Sequence, residues 1–360
     1  MDRARMRLGR RELERSADWV AGHQRRDGGI PWFPGGKLDP WDHVQCAMGL
    51  ASMGRLEEAR RAYRFLAETQ DRDGTWPSAA TATEVLDATR DSNHAAYVAT
   101  GLWHYYRASG DVAFLRTLWP VLERAVGFVL RLQDESGVVA WAADPNGVVW
   151  PAPLVAGCSS IHGSLLCAVR IAGVLGYERP EWERARRRLA RAMRERYELF
   201  LEAPVPAPPG QFSMDWYYPV LGGILRGEAG RRRLFAGKDV YLDEGAGCRC
   251  VVERPWYTVA ETCELVLALD ACGLGDRGLD LFSWVHTLRE GDGGYWTGIA
   301  YPEMLLWPVE RPSWTTATVL LAADALFGEG PTSGFFRELG AEDQPPRKRA
   351  SFRDLDLRLA

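Results

Sequence analysis

Lysine is nearly absent from this chain. Of 44 basic residues only Lys37, Lys238 and Lys348 are lysines. Such an arginine bias goes with a GC-rich genome or a warm habitat, not with a mechanism. An excess of one charge sign is also missing. Forty-eight acidic residues leave a net charge of −4 and a pI near 6.0, which excludes a general electrostatic pull toward nucleic acid or anionic membrane. No stretch approaches the roughly 18 uninterrupted apolar residues of a membrane span. The basic amino terminus, MDRARMRLGRRELERS, is followed by no apolar run of signal-peptide length. Gly222-Gly223 and Pro34-Gly35-Gly36 are too short for a phosphate-cradling loop, and no dinucleotide fingerprint stands out. The seven cysteines are an odd number, and most lie in apolar runs such as Leu166-Cys167-Ala168 and Asp270-Ala271-Cys272. They read as reduced, buried thiols of a cytoplasmic protein. Cys248-Arg249-Cys250 is the one close pair. With neither a CxxC nor a pair of histidines nearby, no metal is expected, and no cofactor.

The chain does have ample apolar mass. Hydrophobic residues make up 46% and charged residues 26%, the balance of a globular protein with a sizeable core. Its 360 residues allow two or three average domains or one large toroid.

An internal repeat decides between these. Gln24-Arg25-Arg26-Asp27-Gly28, with Trp32 beyond it, ends the helical run ELERSADWVAGH. Gln70-Asp71-Arg72-Asp73-Gly74-Thr75-Trp76 ends ARRAYRFLAET, and Gln133-Asp134-Glu135-Ser136-Gly137, with Trp141, ends LERAVGFVLRL. A degenerate fourth copy, Arg289-Glu290-Gly291-Asp292-Gly293-Gly294-Tyr295-Trp296, follows LDLFSWVHTL. Glycine supplies the left-handed stop and the acids suit the turn. Repeats of this size mean stacked helical units.

Outer helices are predicted near 9–24, 57–70, 111–133, 180–200, 229–240 and 277–289. Between them, at 41–54, 92–109, 162–176, 216–227, 258–273 and 314–328, lie helices rich in Ala, Gly and Leu that suit burial on most sides. The expected fold is all-α, a single (α/α)6 toroid of six hairpins over residues 1–340. Residues 341–360 (AEDQPPRKRASFRDLDLRLA) form a charged extension. Gly245 to Pro255 reads as irregular strand or loop.

In such a ring the loops leading into the inner helices meet at one mouth. They carry Trp41-Asp42-His43, Asp91-Ser92-Asn93-His94, Ser159-Ser160-Ile161-His162, Asp215-Trp216-Tyr217-Tyr218, and Glu253-Arg254-Pro255-Trp256-Tyr257 with Glu261 one turn on. The sixth carries Tyr301-Pro302-Glu303 and ends at Trp314. Asp39, Asp91 and Asp215 also stand where a helix N-cap would, so capping is an alternative use for each. His104 and His286 lie within helices and read as packing residues, as do Trp19, Trp119 and Trp284. Asp215 and Asp91 are the leading acid–base candidates, with Asp42, Glu253 and Glu261 as substitutes. His43, His94, His162, Trp41, Trp216, Tyr217, Trp256, Tyr301 and Trp314 are the substrate-binding candidates. Carboxylates from different hairpins can meet near the ~6.5–9.5 Å separation of inverting glycoside hydrolysis. An aromatic wall would raise the pKa of one of them.

The Gln…Asp-Gly…Trp repeats resemble the QW-type repeats of squalene cyclases and protein prenyltransferases, which bear on fold and not on activity. The activity motifs of that superfamily are missing: no DxDD stands at the mouth, Asp354-Leu355-Asp356 lies in the tail, and there is no Asp/Cys/His zinc set. Asp91 to Gly137, and Trp307-Pro308 with RPSWTTATVLLAADALFG to Gly328, resemble six-hairpin glycosidases of the glucoamylase and uronyl-hydrolase type over about a fifth of the chain. The glutamate motifs of glucoamylases are not recognisable, so no catalytic role carries over. The resemblance implies a carbohydrate-active enzyme hydrolysing a small glycoside. Three alternatives stay open: epimerisation of a sugar by His94 with His162, isoprenoid chemistry of the terpene cyclase or prenyltransferase kind in an aromatic cavity, and non-catalytic glycan binding.

Overall fold

The computed structural model describes residues 8–201 and 209–340; the proposed extension at 341–360 lies outside them. Most described residues are helical. The helices are α1 (Arg10–Gly22), α2 (Pro40–Ser52), α3 (Leu56–Thr69), α4 (Ser92–Ser109), α5 (Val112–Arg131), α6 (Val155–Leu175) and α7 (Pro180–Glu195). They continue with α8 (Glu198–Leu201), α9 (Met214–Leu221), α10 (Gly227–Tyr241), α11 (Val259–Ala271), α12 (Gly275–Val285), α13 (Ser313–Phe327) and α14 (Phe335–Glu338).

The expectation of a purely helical chain is corrected by ten short strands. β1 (Ala79–Ala80) pairs with β2 (Val85–Asp87). β3 (Arg90–Asp91), β4 (Ala142–Ala143) and β5 (Val149–Trp150) form an antiparallel trio. β6 (Leu242–Asp243), β7 (Gly247–Arg249), β8 (Trp256–Thr258), β9 (Gly298–Ala300) and β10 (Leu305–Leu306) form a five-stranded sheet in the order β10-β9-β8-β7-β6. All these strands sit in loops that run up to inner helices. Those loops are long, and pairing satisfies backbone groups that would otherwise be left without partners.

Helix α2 packs on α4, α4 on α6, α6 on α9, α9 on α11, α11 on α13, and α13 back on α2. These six are the apolar helices. Every residue of α11 is buried, and α13 is nearly as enclosed. Small residues permit the approach: a Cβ on Gly49 would come within 2.9 Å of the Ala317 carbonyl oxygen, and Gly222 leaves no room for one against Ser159. The remaining long helices are amphipathic and lie outside, as the buried stripe Trp182, Ala185, Leu189 and Met193 of arginine-rich α7 illustrates.

The repeat has a mechanical role. Gln24 Nε2 donates to the Glu58 carbonyl at 2.8 Å, Gln70 Nε2 to Val121 at 2.9 Å, and Gln133 Nε2 to Ala185 at 2.9 Å. Each glutamine thus ties the end of one outer helix to the next. The glycine of each turn, Gly28, Gly74 and Gly137, has φ near +95° and lies against the backbone of that next helix. The fourth copy docks on α1: Ser16 Oγ donates to the Gly293 carbonyl at 2.8 Å.

Two inner helices differ from their expected spans. α6 starts at Val155, not near 162, because the chain leaves Pro151 and Pro153 directly into helix. This moves His162 from a helix start to mid-helix, two turns in. α9 ends at Leu221, short of 227, where Gly222-Gly223 allow a turn. α6 is interrupted by Ser159, Ser160, His162, Ser164 and Arg170, so it is no uninterrupted apolar run. It is long and apolar enough to cross a bilayer by length and composition, yet 72% of that window is buried inside the fold.

The end of the ring away from the inner-helix N-termini is covered by α14 and the residues just before it. Phe335 meets His104 edge-on at 5.0 Å, Arg107 pairs with Glu338, and Arg337 pairs with Asp270 near the end of α11. All seven cysteines are free thiols, and six of them are buried.

Gly74→Ala forces a Cβ into the Arg124 carbonyl from a left-handed backbone. A loss of about 2 kcal/mol or more is expected, read as a lower denaturation midpoint, whereas Gly54→Ala, with open space around it, meets the φ cost alone and loses less.

Candidate active site

Five inner helices contribute to one pocket at their amino-terminal ends. It has a volume of about 270 Å³ and is lined by Asp39, Trp41 and Asp42 at the start of α2, His94 in α4, Met214 of α9, Glu261 and Glu264 of α11, and Trp314 of α13. Trp32, Lys37 and Ser78 close it from the preceding loops. That volume is at the small end for a ligand site, which commonly spans ~300–1,000 Å³.

The start of α2 is built by its sequence. Asp39 caps the helix, its Oδ1 accepting the Asp42 backbone N–H at 2.8 Å, and Pro40 occupies the first turn, where no N–H is needed. This places the Asp42 side chain beside Asp39. The Trp32 indole N–H donates to both carboxylates, at 3.1 Å to Asp39 and closer to Asp42. Burial, and then the charge of Asp39, raise the Asp42 pKa well above the usual carboxylate range.

On α11, Glu261 and Glu264 are one helical turn apart and share a face. Glu261 accepts a hydrogen bond from the Thr258 hydroxyl at the end of β8. Glu264 is deeper. It accepts from the Tyr217 and Tyr218 hydroxyls at 2.6 Å each and from Gln45 Nε2 at 2.8 Å. Burial outweighs these donors and lifts its pKa to about 7. Trp41 stacks on Tyr97 with centroids 3.6 Å apart, which fixes its ring at the pocket wall.

The residues proposed from the sequence fall into two groups. Asp42, Glu261, His94, Trp41 and Trp314 come together in the pocket, and Tyr217 stands behind it as a donor to Glu264. The others lie elsewhere. Asp91 caps α4, accepting the backbone N–H groups of Asn93 and His94. Asp215 accepts backbone N–H groups of Ala156 at 3.1 Å and Gly210 at 2.9 Å, and burial raises its pKa. Glu253 is exposed on the loop before β8, its nearest donor Gln211 at 3.5 Å. His43 is sealed between Ile30 N–H and the Ala62 carbonyl, with its pKa pushed down to about 4 by burial. His162 contacts the Gly222 carbonyl and Arg186 inside the ring, its pKa lowered to about 3 chiefly by burial. Trp216 donates to the Arg233 carbonyl and stacks on Tyr241. Trp256 and Tyr301 belong to the five-stranded sheet and its hairpin.

Sequence reasoning passed over Glu264, Trp32, Lys37 and Met214. Glu264 was findable, because a glutamate three positions after Glu261 must share its helical face. Nothing local marks Lys37 or Met214.

The elevated Glu264 pKa has a consequence for stability. The folded state holds this proton more tightly than the unfolded chain, whose ordinary glutamate value is 4.5. Its contribution is therefore fully present below pH 4.5 and lost as pH rises toward and through 7. A 2.5-unit difference corresponds to about 3 kcal/mol. The difference in unfolding free energy between the parent and Glu264→Gln should change by about that amount between pH 4 and 8, with the parent losing more; urea titrations at several pH values measure it.

Residues 37–155 match the mannosylglycerate hydrolase MGH1-like glycoside hydrolase domain. A glycosidase of known structure superposes with a TM-score of 0.69 at 14% identity, over 95% of this chain and 100% of its own. A D-mannose isomerase gives 0.63 at 11% identity, over 87% and 95%. At such identities these two speak for the fold alone. The MMP endo-(1,4)-3-O-methyl-alpha-D-mannosidase of Mycolicibacterium hassiacum (strain DSM 44199 / CIP 105218 / JCM 12690 / 3849) is 47% identical over 326 residues, 91% of this chain and 89% of that one. On that extent of identity, the chain belongs to the glycoside hydrolase family of this mannosidase.

Proposed function

We propose that the protein hydrolyses α-mannosidic bonds at the mouth of an (α/α)6 toroid, with Asp42 as general acid and Glu261 as general base. One observation carries the reading: two buried carboxylates from different helices line a single pocket, and burial, with Asp39 alongside, raises the pKa of one of them. The closed succession of six inner helices, with outer helices tied end to end by the repeat, supports the six-hairpin description and a single catalytic unit.

The chemistry follows from placement. Helices α2 and α11 both pack on α13. With neighbours ~8–10 Å apart, next-but-one members of a six-membered ring have axes roughly 14–17 Å apart. An inverting reaction needs ~6.5–9.5 Å between the two carboxyl groups, room for the attacking water. Asp42 gives its proton to the glycosidic oxygen as the C1–O bond breaks. Glu261 takes a proton from the water whose oxygen bonds to C1 from the other face. The proton gained by Glu261 and that lost by Asp42 then re-equilibrate with solvent. Glu264, three hydrogen bonds deep, positions Tyr217 and Tyr218 and holds the floor of the pocket. Trp41 and Trp314 face the sugar ring, and His94 lines the same pocket.

The substrate class suggested by the 47% identical relative is an α-1,4-linked chain of 3-O-methylmannose cut internally. The lining suits it, because Trp32, Trp41, Met214 and Trp314 offer apolar surface to methyl ethers. Hydrolysis is favoured over epimerisation by a histidine pair, since His94 lines the pocket while His162 lies two turns down α6. Isoprenoid chemistry draws no support from the relatives, and a pocket with four carboxylates suits it poorly.

On a methylated α-1,4-mannan, Asp42→Asn and Glu261→Gln should each lower kcat by about 10²–10⁴-fold with the circular dichroism spectrum retained. Unchanged turnover in either variant removes that residue from the chemistry. Proton NMR of the first product should show the β-anomer; an α-anomer would mean that Glu261 acts as nucleophile.

A further inference from the structure

Large apolar side chains are unevenly exposed. Of the sixteen exposed among the described residues, five fall between positions 301 and 309: Tyr301, Met304, Leu305, Trp307 and Val309, each 46–71% accessible. They lie in the turn between β9 and β10, in β10 itself and in the bend that follows it, at the edge of the five-stranded sheet. An exposed apolar patch of this kind marks a binding surface.

The patch is tied to the elements that carry two of the pocket residues. The Trp256 indole N–H donates to the Trp307 carbonyl at 2.6 Å, and the two rings meet edge-to-face with centroids 4.8 Å apart. Tyr257 and Tyr301 make a second perpendicular pair at 6.0 Å. Trp256 opens β8, whose last residue, Thr258, gives its hydroxyl to Glu261. From Trp307 the chain runs directly into α13 and Trp314, in the pocket wall. The backbone is cross-braced on the way, Thr297 N–H donating to the Glu310 carbonyl at 3.0 Å and Val259 N–H to Thr297 at 2.9 Å. The hairpin is therefore braced to the two elements that carry Glu261 and Trp314, with Trp307 seven residues before Trp314.

We infer that this rim is a remote subsite that holds the part of a glycan chain outside the cleavage point and reads its methyl ethers. The inference rests on the α-mannan hydrolysis proposed above. The pocket, about 270 Å³, is too small for more than a short piece of a chain, and a chain cut internally must run on over the rim. Aromatic faces accept the C–H face of a sugar whatever its substituents. Met304, Leu305 and Val309 do not: hydroxyls placed against them lose water without a partner, whereas methyl groups gain by burial. The rim accordingly discriminates by alkylation, while the pocket carboxylates act on the bond.

The test uses the full chain with three ligands: a methylated α-1,4-mannan of ten or more units, the unmethylated chain of equal length, and a methylated disaccharide. The double variant Leu305→Ser/Val309→Ser alters exposed side chains, and Trp307→Ala removes a half-exposed ring together with its contact to Trp256. Phe235→Ala, an exposed aromatic on outer helix α10, is the control. In Trp307→Ala the ratio of KM for disaccharide to KM for the long methylated chain should fall about tenfold. In the double variant the preference for the methylated over the unmethylated long chain should shrink by a similar factor, with kcat little changed. Calorimetry in the Asp42→Asn background should show the same differences in Kd without turnover. A wild-type chain-length ratio in Trp307→Ala overturns the subsite. Equal losses on methylated and unmethylated chains in the double variant overturn the reading of methyl ethers. Should the parent cleave no mannan, the hydrolytic proposal fails separately. The calorimetric comparison still decides the rim, and absence of binding by either long chain overturns it.

Discussion

The close approach of the inner helices is the constraint on which the rest of the molecule depends. Gly49 against Ala317, Gly101 against Val44, and Gly222 against Ser159 are contacts that a side chain would prevent. They let six helices pack as successive neighbours and bring their amino termini into one small region. Five helix starts then share a pocket, and groups scattered from Trp32 to Trp314 become neighbours. The outer layer maintains this arrangement from behind. Each repeat glutamine bridges to the following outer helix, so that the spacing of one hairpin is referred to the next.

A ring of helix starts is also a ring of unsatisfied N–H groups, and acidic residues meet that need. Two fates follow for carboxylates of the same type in similar positions. Asp91 and Asp215 have their oxygens engaged by backbone N–H groups, of α4 in one case and of α6 and the preceding loop in the other. Asp42 stands three residues beyond a cap already supplied by Asp39. Its carboxyl is left facing the pocket with a like charge beside it. The difference is a matter of register: one aspartate does the capping, and burial, then the charge of that aspartate, raises the pKa of its neighbour.

Glu261 and the rim share a different connection. β8 supplies both the hydroxyl that holds Glu261 and the indole that locks Trp307. A sheet absent from the purely helical expectation thus couples the reacting group to the outer surface. Loops that carry function are commonly positioned by a rigid scaffold; here part of the rigidity is in the loops themselves, through five paired strands.

The helical architecture was legible in the sequence because it depends on local rules. Apolar periodicity separated inner from outer helices, and the Gln…Asp-Gly turn marked where outer helices stop. The departures are equally physical. α6 begins early because two prolines precede it, and α9 stops short at a glycine pair. The short strands carry too few residues for a period of two to register.

The candidate site was legible only in part. Asp42, Glu261, His94, Trp41 and Trp314 could be named as residues at helix starts, but Asp91, Asp215 and His162 looked equivalent to them. The linear chain determined which residue types would gather at one end of a ring of helices, since patterning and turn chemistry act over a few positions. Only the tertiary structure decided which of those carboxylates stay bound to backbone N–H groups and which face the pocket. That choice depends on partners far away in the chain, as when Gln45, Tyr217 and Tyr218 converge on Glu264, and no local pattern encodes such a meeting.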